Sequence, residues 1–530
     1  MPLLKPFPST DAPSLPASHG FLANRMLITS LVVFAVLLVR LHILKKYGVQ
    51  EPFMDSFSEV HDLKAALAGN FGAVWRDAFE LHNEHRLVLT KWLNVGLFLL
   101  NGGHWDLLAG AMANAFLAAG CVWAAAWAFG RELAPAAYNL LLGILALCWV
   151  LPFSYENMLW DFQSQHFFFI LFSVLNVGLS LPADRLGAKW WTGWSCGVLA
   201  CLSVGSGFYA PLVTAGAAVL MLFRAEHRNR VTAGTALGSG VTLACYLPFV
   251  LQVHSYAYGK ADSVGLFLTS LVRHLAFPNI PLVQVWVVPI MWLPLILLTL
   301  ALLFHRRALP ASSYQIIALT AWTLLIDVSL AFLRGKYAPY VRYFDYNSFQ
   351  IVLSLAATLE IWRLDLFPRV PLAARSAFLA GWLGVVGVGC FNLFQDAWAI
   401  QFPIRRQEMI DEQKAVREFL ATRDPEVLVR PELNGVFPFS REYYRFLGET
   451  LVDPQINSFL PPAMKGPVEH EAASGIVSRV RMLLLHKLQY LTVAYEFIAL
   501  VLVGAALGQW LSRPENQEKS THFWQALRPG

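Results

Sequence analysis

Three short stretches of this 530-residue chain carry side chains suited to chemistry. The first is EPFMDSFSEVHDL, residues 51–63, where Asp55, Glu59 and Asp62 stand at i, i+4 and i+7, so a helix here would present the three carboxylates on one side. The second, ELHNEHRLVLTKWL (80–93), sets Glu84 and Arg86 beside His82 and His85. An arginine at an interface offers a planar fork matched to phosphate oxygens, which a lysine does not. Two histidines three apart leave room for a metal but define no third ligand. The third cluster is divided in sequence. SYENMLWDFQSQH (154–166) holds Glu156, Asn157, Asp161, Gln163 and Gln165 without a Lys or Arg, while RGKYAPYVRYFDYNS (334–348) holds Arg334, Lys336, Arg342, Tyr343 and three further tyrosines. An acidic, amide-rich loop beside a basic, tyrosine-rich one suits a phosphorylated, hydroxyl-rich substrate. Each cluster has a plainer counterpart: a solvated face of an interfacial helix for the first, hydrogen-bonding or capping roles for the histidines, and headgroup-level anchoring for the tyrosines.

The elements that must position these groups are set by composition. The chain is 56% hydrophobic and only 14% charged, against roughly 25% charge in an ordinary soluble domain. This is the composition of a polytopic membrane protein. The net charge of +5 is spread over short loops, which reads as topology signal and excludes a nucleic-acid footprint. All six cysteines lie in apolar stretches with no CxxC pair, so neither a disulfide framework nor a zinc motif is expected. Five prolines among the first 25 residues indicate a short disordered cytoplasmic head, 1–25, ahead of a retained helix.

Spans of about 20 apolar residues are expected near 26–44, 105–129, 134–153, 165–181, 190–204, 207–223, 232–252, 283–304, 313–333, 347–362, 376–394 and 488–511, giving an all-α protein with about twelve transmembrane helices (11–13). Segment 87–101 is ambiguous: it is short, and Lys91 at the centre of a spanning helix costs roughly 2.5–3.5 kcal/mol. Loops 224–230, 305–307 and 363–375 are rich in Lys and Arg and are expected in the cytoplasm. The 154–164, 253–282, 334–346 and 395–487 segments then face the other side. If 87–101 does not span, the first loop, 45–104, joins them; if it does, that loop is cytoplasmic. The 395–487 segment reads as a solvated helix and Pro-containing loops over the end of the bundle, followed by a last span at 488–511 and a cytoplasmic tail, 512–530. Asp327 and Glu496 are the clear mid-segment acids within spans and are expected as helix-packing contacts.

This layout resembles the GT-C type of integral-membrane glycosyltransferases, which use polyprenyl-phosphate-linked sugars as donors. EPFMDSF resembles the first acidic motif of that family, SYENMLWDFQSQ its second acidic loop, HNEHRLVLTKWLNVGLFLLNGGHWD the juxtamembrane helix closing the first loop, and VRYFDYNS the Arg-Tyr motif of many bacterial members. The resemblance spans residues 20–365 and favours a non-spanning 87–101. It departs from the family where Asp55 is followed by Ser56 instead of a second acid, and where HNEHR replaces a His-Pro-Pro element. It implies a bacterial inner-membrane enzyme whose catalytic domain, 26–394, opens to the periplasm. Asp55 is then the catalytic base; Arg86, Lys336 and Arg342 bind the donor phosphate; Glu84, Glu156 and Asp161 position the acceptor or a divalent cation; and His82, His85 and Tyr343 support them. The acceptor is a cell-envelope glycan, lipid or protein. Two other classes stay open: a surface-polysaccharide ligase or polymerase centred on Arg342 and the late loops, and a non-enzymatic transporter or flippase.

Overall fold

The computed structural model describes residues 19–50, 52, 54–252, 259–280, 285–305, 308–337, 340–429, 441–465 and 475–487. Among them there is no strand, only helices and one isolated two-residue bridge, His82 to His85. The first helix, α1 (His19–Tyr47), begins inside the expected disordered head. The expected span 488–511 and the tail 512–530, Glu496 included, lie outside the described residues, as do residues 1–18 and Glu51.

After α1 the first loop makes a 3-10 turn, Met54–Glu59, and then α2 (Val60–Leu67), α3 (Phe71–Ala78) and α4 (Val88–Leu100). The three acids of this loop do not share one helical face as expected, because Asp55 falls in the 3-10 turn while Glu59 and Asp62 are turned inward and buried. Their partners come from α4. Asn94 donates to both Glu59 oxygens at 2.8 and 2.7 Å, and Lys91 pairs with Asp62 at 3.1 Å and donates to the Asp77 carbonyl at 2.8 Å. Lys91, which made 87–101 costly as a span, and Asn94 are thus the residues that fasten α4 to the loop. At 13 residues α4 is about 20 Å long, short of the roughly 30 Å hydrocarbon core.

The bundle continues with α5 (Leu107–Gly130), α6 (Pro135–Val150), the five-residue α7 (Tyr155–Leu159), α8 (Ser164–Ser180), α9 (Ala188–Cys201), α10 (Tyr209–Leu222) and α11 (Arg230–Leu251). Then come α12 (Val264–Leu275), α13 (Val287–Phe304), α14 (Ala311–Leu333), α15 (Phe344–Arg363) and α16 (Leu372–Asp396). Alanine and glycine dominate α5, so α1 and α8 approach it closely, as small residues allow where no hydrophobic gradient drives helices together. Eight of these helices are long and apolar enough to cross a membrane. Of the other expected spans, α6 has 16 residues and α9 has 14, and α15 is 20 residues long but polar at its core.

α15 is buried along nearly its whole length, and several of its polar side chains find partners on neighbouring helices. Asn347 and Gln350 donate to the two oxygens of Asp327 at 2.8 and 2.5 Å, and Ser354 accepts from Trp382 at 3.0 Å. Asp327 is therefore a packing contact between α14 and α15.

α16 runs without a break through a π-turn, Ala397–Gln401, into α17 (Phe402–Thr422), a continuous helix of 51 residues and about 75 Å. Its end rests on Arg423 in the left-handed conformation, φ 62°. Beyond it α18 (Arg441–Val452), α19 (Pro454–Phe459) and α20 (Ile476–Lys487) fold back over the first loop. Lys64 pairs with Asp453 at 2.5 Å, and Asp106 accepts from Ser478 and from Arg481, the latter at 2.9 Å.

If α4 does not cross the membrane, cysteines at Arg76 and His104 on either side of it, in a background lacking the six native cysteines, will react with a membrane-impermeant thiol reagent from the same side. Labelling from opposite sides contradicts this fold.

Candidate functional site

The loop after α6 turns back through α7 and places Glu156 where three segments meet. The carboxylate is 3% exposed and accepts from Arg342 Nε at 3.2 Å and from Arg405 Nη2 at 3.0 Å. Arg405, near the start of α17, also pairs with Glu408 at 2.6 Å. Both guanidinium planes lie over the Trp160 ring, at 5.5 and 5.1 Å from its centroid. Arg342 donates further to the Tyr340 hydroxyl at 3.2 Å. Burial works against its charge, but Glu156, Tyr340, Tyr343 and Asp55 outweigh burial and hold the guanidinium protonated more firmly than usual. Its backbone is fixed as well. Asn157 donates to the Arg342 carbonyl and to Asp345, both at 2.8 Å, and Asp345 accepts from Ser154 at 3.0 Å and pairs with buried Arg40 of α1 at 3.3 Å.

Asp55, on the first loop, lies within the electrostatic field of this arginine. Its side chain is 33% exposed, and His82 Nε2 stands 3.6 Å from Oδ1. Burial raises the Asp55 pKa, but the contact with His82 and the charges of His82, Arg342 and His85 more than reverse that, leaving the carboxyl below its ordinary range. It is ionised at neutral pH. Next to it Ser56 donates to Asp161 Oδ1 at 2.7 Å, and the Phe162 amide donates to the same oxygen at 2.8 Å. Asp161 thus supports the Asp55 turn from below. Gly110 of α5 makes room for it, since a Cβ there would lie 2.6 Å from the Asp161 Cβ.

His82 and His85 close a tight turn on each other, amide to carbonyl, at 2.8 and 2.9 Å, with Asn83 at φ 54°, a conformation asparagine tolerates. The two rings serve different partners, so the pair does not form a shared metal site. His82 points to Asp55, and His85 Nδ1 accepts the Gly205 amide at 3.2 Å. Burial, with the His82 charge, pushes the His85 pKa down to about 4, so the ring is neutral. Only glycine fits at 205, where a Cβ would meet the Glu84 carbonyl at 2.5 Å and His85 Nδ1 at 2.8 Å.

Asp55, His82, His85, Glu156, Arg342 and Tyr343 are thus brought together, with Asp161 beneath. Three expected residues are committed to other partners, although Glu84 and Arg86 also line the cavity beside the centre. Arg86 donates to the Phe79 and Phe249 carbonyls, both at 3.0 Å, and to Gln252 at 2.9 Å, which fastens the turn to the end of α11. Glu84 pairs with Arg334, and Lys336 with Asp262 at 3.3 Å. Arg405 and Tyr340 join the centre unforeseen. The only cue for Arg405 was a basic pair, Arg405 and Arg406, at the start of the charged run that follows the expected span 376–394. Among the described residues no three His, Cys, Asp or Glu side chains converge on a metal position.

Beside the centre, α10, α11 and α14 enclose a cavity of about 270 Å³ with mainly apolar walls, among them Phe208, Tyr246 and Leu330. His85, His166, Tyr343 and Tyr346 line its end nearest Asp55 and Arg342. Comparison with protein-family models, with curated proteins and with solved structures finds no match.

The unfolded chain binds a proton on His85 near pH 6.5 and the folded one near pH 4, so across this window the unfolded state holds more protons and stability falls as pH drops. The loss is at most about 3 kcal/mol. Melting of the purified protein between pH 7 and about 4 will therefore show a shallower acid decline in His85→Gln than in the wild type; parallel curves would contradict the buried neutral ring.

Proposed function

We propose that this chain is a GT-C-type membrane glycosyltransferase that moves a sugar from a polyprenyl phosphate to an acceptor hydroxyl. The observation that carries the proposal is a partly exposed, ionised Asp55 in the field of Arg342, with His85 and Tyr343, which neighbour the two in the chain and in space, lining an apolar-walled cavity between spans. A long isoprenoid chain fits such a groove, and its phosphate would then lie beside Arg342, whose Nη1 has no partner among the described residues. In this proposal α6, α9, α15 and 488–511 complete twelve crossings, and the centre opens to the periplasm of a bacterial inner membrane, as the Lys and Arg distribution of the loops favours.

The acceptor oxygen attacks the anomeric carbon as its proton passes to Asp55. The bond from that carbon to the phosphate oxygen breaks with inversion, and the polyprenyl phosphate leaves with the electron pair. Arg342, held in place by Glu156 and backed by Arg405, stabilises the charge that grows on the leaving oxygens. His82 orients the base. Glu156, Asp161 and Glu84 each already hold donors or cations, so they shape the site and no step is assigned to a metal. Asp327, bound by two amides, lends no support to a transport reading.

A positioned general base contributes about 10²–10⁴-fold in rate. Asp55→Asn should lose transfer by that factor while inserting and melting like the wild type, assayed as polyprenyl-phosphate release from a panel of polyprenyl-phosphate hexoses and pentoses. Near-normal turnover by the variant removes Asp55 from the role and favours a ligase or polymerase centred on Arg342. No turnover by the wild type with any donor overturns the transferase reading.

A further inference from the structure

One buried side chain on the wall of the cavity between α10, α11 and α14 is only half used. His166, in the first turn of α8, is 4% exposed and lines that cavity. Two tyrosines from the segment that opens α15 hold its ring: Tyr343 and Tyr346 stand edge-on to it, with centroids 5.9 and 5.3 Å away. Nδ1 shares a hydrogen bond with the Tyr346 hydroxyl, and Nε2 has no partner among the described residues.

This pattern decides where the ring hydrogen sits. If Nδ1–H donated to the hydroxyl oxygen, whether the ring were neutral or charged, the tyrosine hydrogen and Nε2 would both be buried without a partner. With the hydroxyl donating to Nδ1, only Nε2–H is left over, and fewer orphaned polar groups means a smaller desolvation cost. The ring is therefore a neutral donor whose N–H has no acceptor.

The charges on the same wall favour an anion as that acceptor. Its charged residues are Glu84, Arg86 and Arg334. Arg334 answers Glu84, whereas Arg86 is bonded to the neutral Phe79 and Phe249 carbonyls and to Gln252, so the wall keeps one positive charge in excess. Arg342 adds its field at His166. Of the polar residues deeper between the helices, Tyr209 and Ser329 are hydrogen-bonded to each other.

We propose that His166, held in this tautomer by Tyr346, binds the phosphate of the lipid-linked donor: Nε2–H donates to one phosphate oxygen while Arg342 serves another. This rests on the polyprenyl-phosphate reading and adds to it a neutral donor that makes the cavity selective for a phosphorylated lipid over the corresponding alcohol.

The test measures binding without turnover. The purified full chain is offered two probes of equal chain length, a polyprenyl phosphate and the unphosphorylated polyprenol, and retention is scored by native mass spectrometry. The wild type should hold the phosphate more tightly than the alcohol. His166→Phe, which keeps a ring and removes the donor, should weaken phosphate binding about tenfold or more, the loss expected for a hydrogen bond to a charged group, and leave the alcohol unchanged. His166→Gln, whose amide again offers an N–H, should lose less. Should His166→Phe fail to fold, Tyr346→Phe carries the test: with Nδ1 released, the hydrogen can shift between the ring nitrogens, and the preference for phosphate should narrow. An unchanged preference in the variant, or an equal loss of both lipids, which is what a packing role gives, overturns the assignment of His166 and leaves the polyprenyl-phosphate reading standing. No preference in the wild type overturns both.

Discussion

Glu156 is the interaction on which the site depends. A carboxylate 3% exposed at the end of a helix bundle stands only if its charge is answered, and here two arginines from positions 186 and 249 residues further along the chain answer it. That single requirement draws the loop before α15 and the emergent half of the 51-residue helix onto α7. Removing one arginine would leave the other to neutralise the charge; removing Glu156 would leave two guanidinium groups facing each other over Trp160. Arg342 is therefore fixed on the side of Glu156 and Tyr340.

The same logic runs through the apolar interior. Arg40 with Asp345, Asp327 with Asn347 and Gln350, and Glu360 with Ser312 and Ser313 key α15 to its neighbours at three depths. In a membrane, where lipid and leucine are equally apolar, such polar keys set register more specifically than packing does. The buried helix that results has its two ends at different tasks. Near its start the chain holds Arg342 against α7 and Trp160, and near its end Glu360 takes the Ser312 and Ser313 hydroxyls of α14.

Much of this was legible in the sequence. The loops at 154–164 and 334–346 stood out because charge, amide and tyrosine density interrupts apolar runs, and both do meet at the candidate site. Arg405 was hidden because its run is charged like any solvated helix, and nothing local marks a helix that continues from a span into the site. Arg86 shows the reverse. Its position before an apolar helix suited phosphate, but its acceptors lie 163 and 166 residues away and on Phe79, and no spacing encodes such contacts. Likewise the i, i+4, i+7 pattern of Asp55, Glu59 and Asp62 presumed one helix. The 3-10 turn, which holds Asp55 and Glu59, breaks the helical spacing before Asp62, and Asn94 and Lys91 of α4 take Glu59 and Asp62 inside.

The most direct test of the central claim is a cryo-electron microscopy structure of the chain in nanodiscs with a non-hydrolysable polyprenyl-phosphonate sugar. The account expects the phosphonate beside Arg342, the sugar between it and Asp55, and the isoprenoid chain in the groove between α10, α11 and α14. A headgroup bound elsewhere, with Asp55 and Arg342 facing only water, would contradict it.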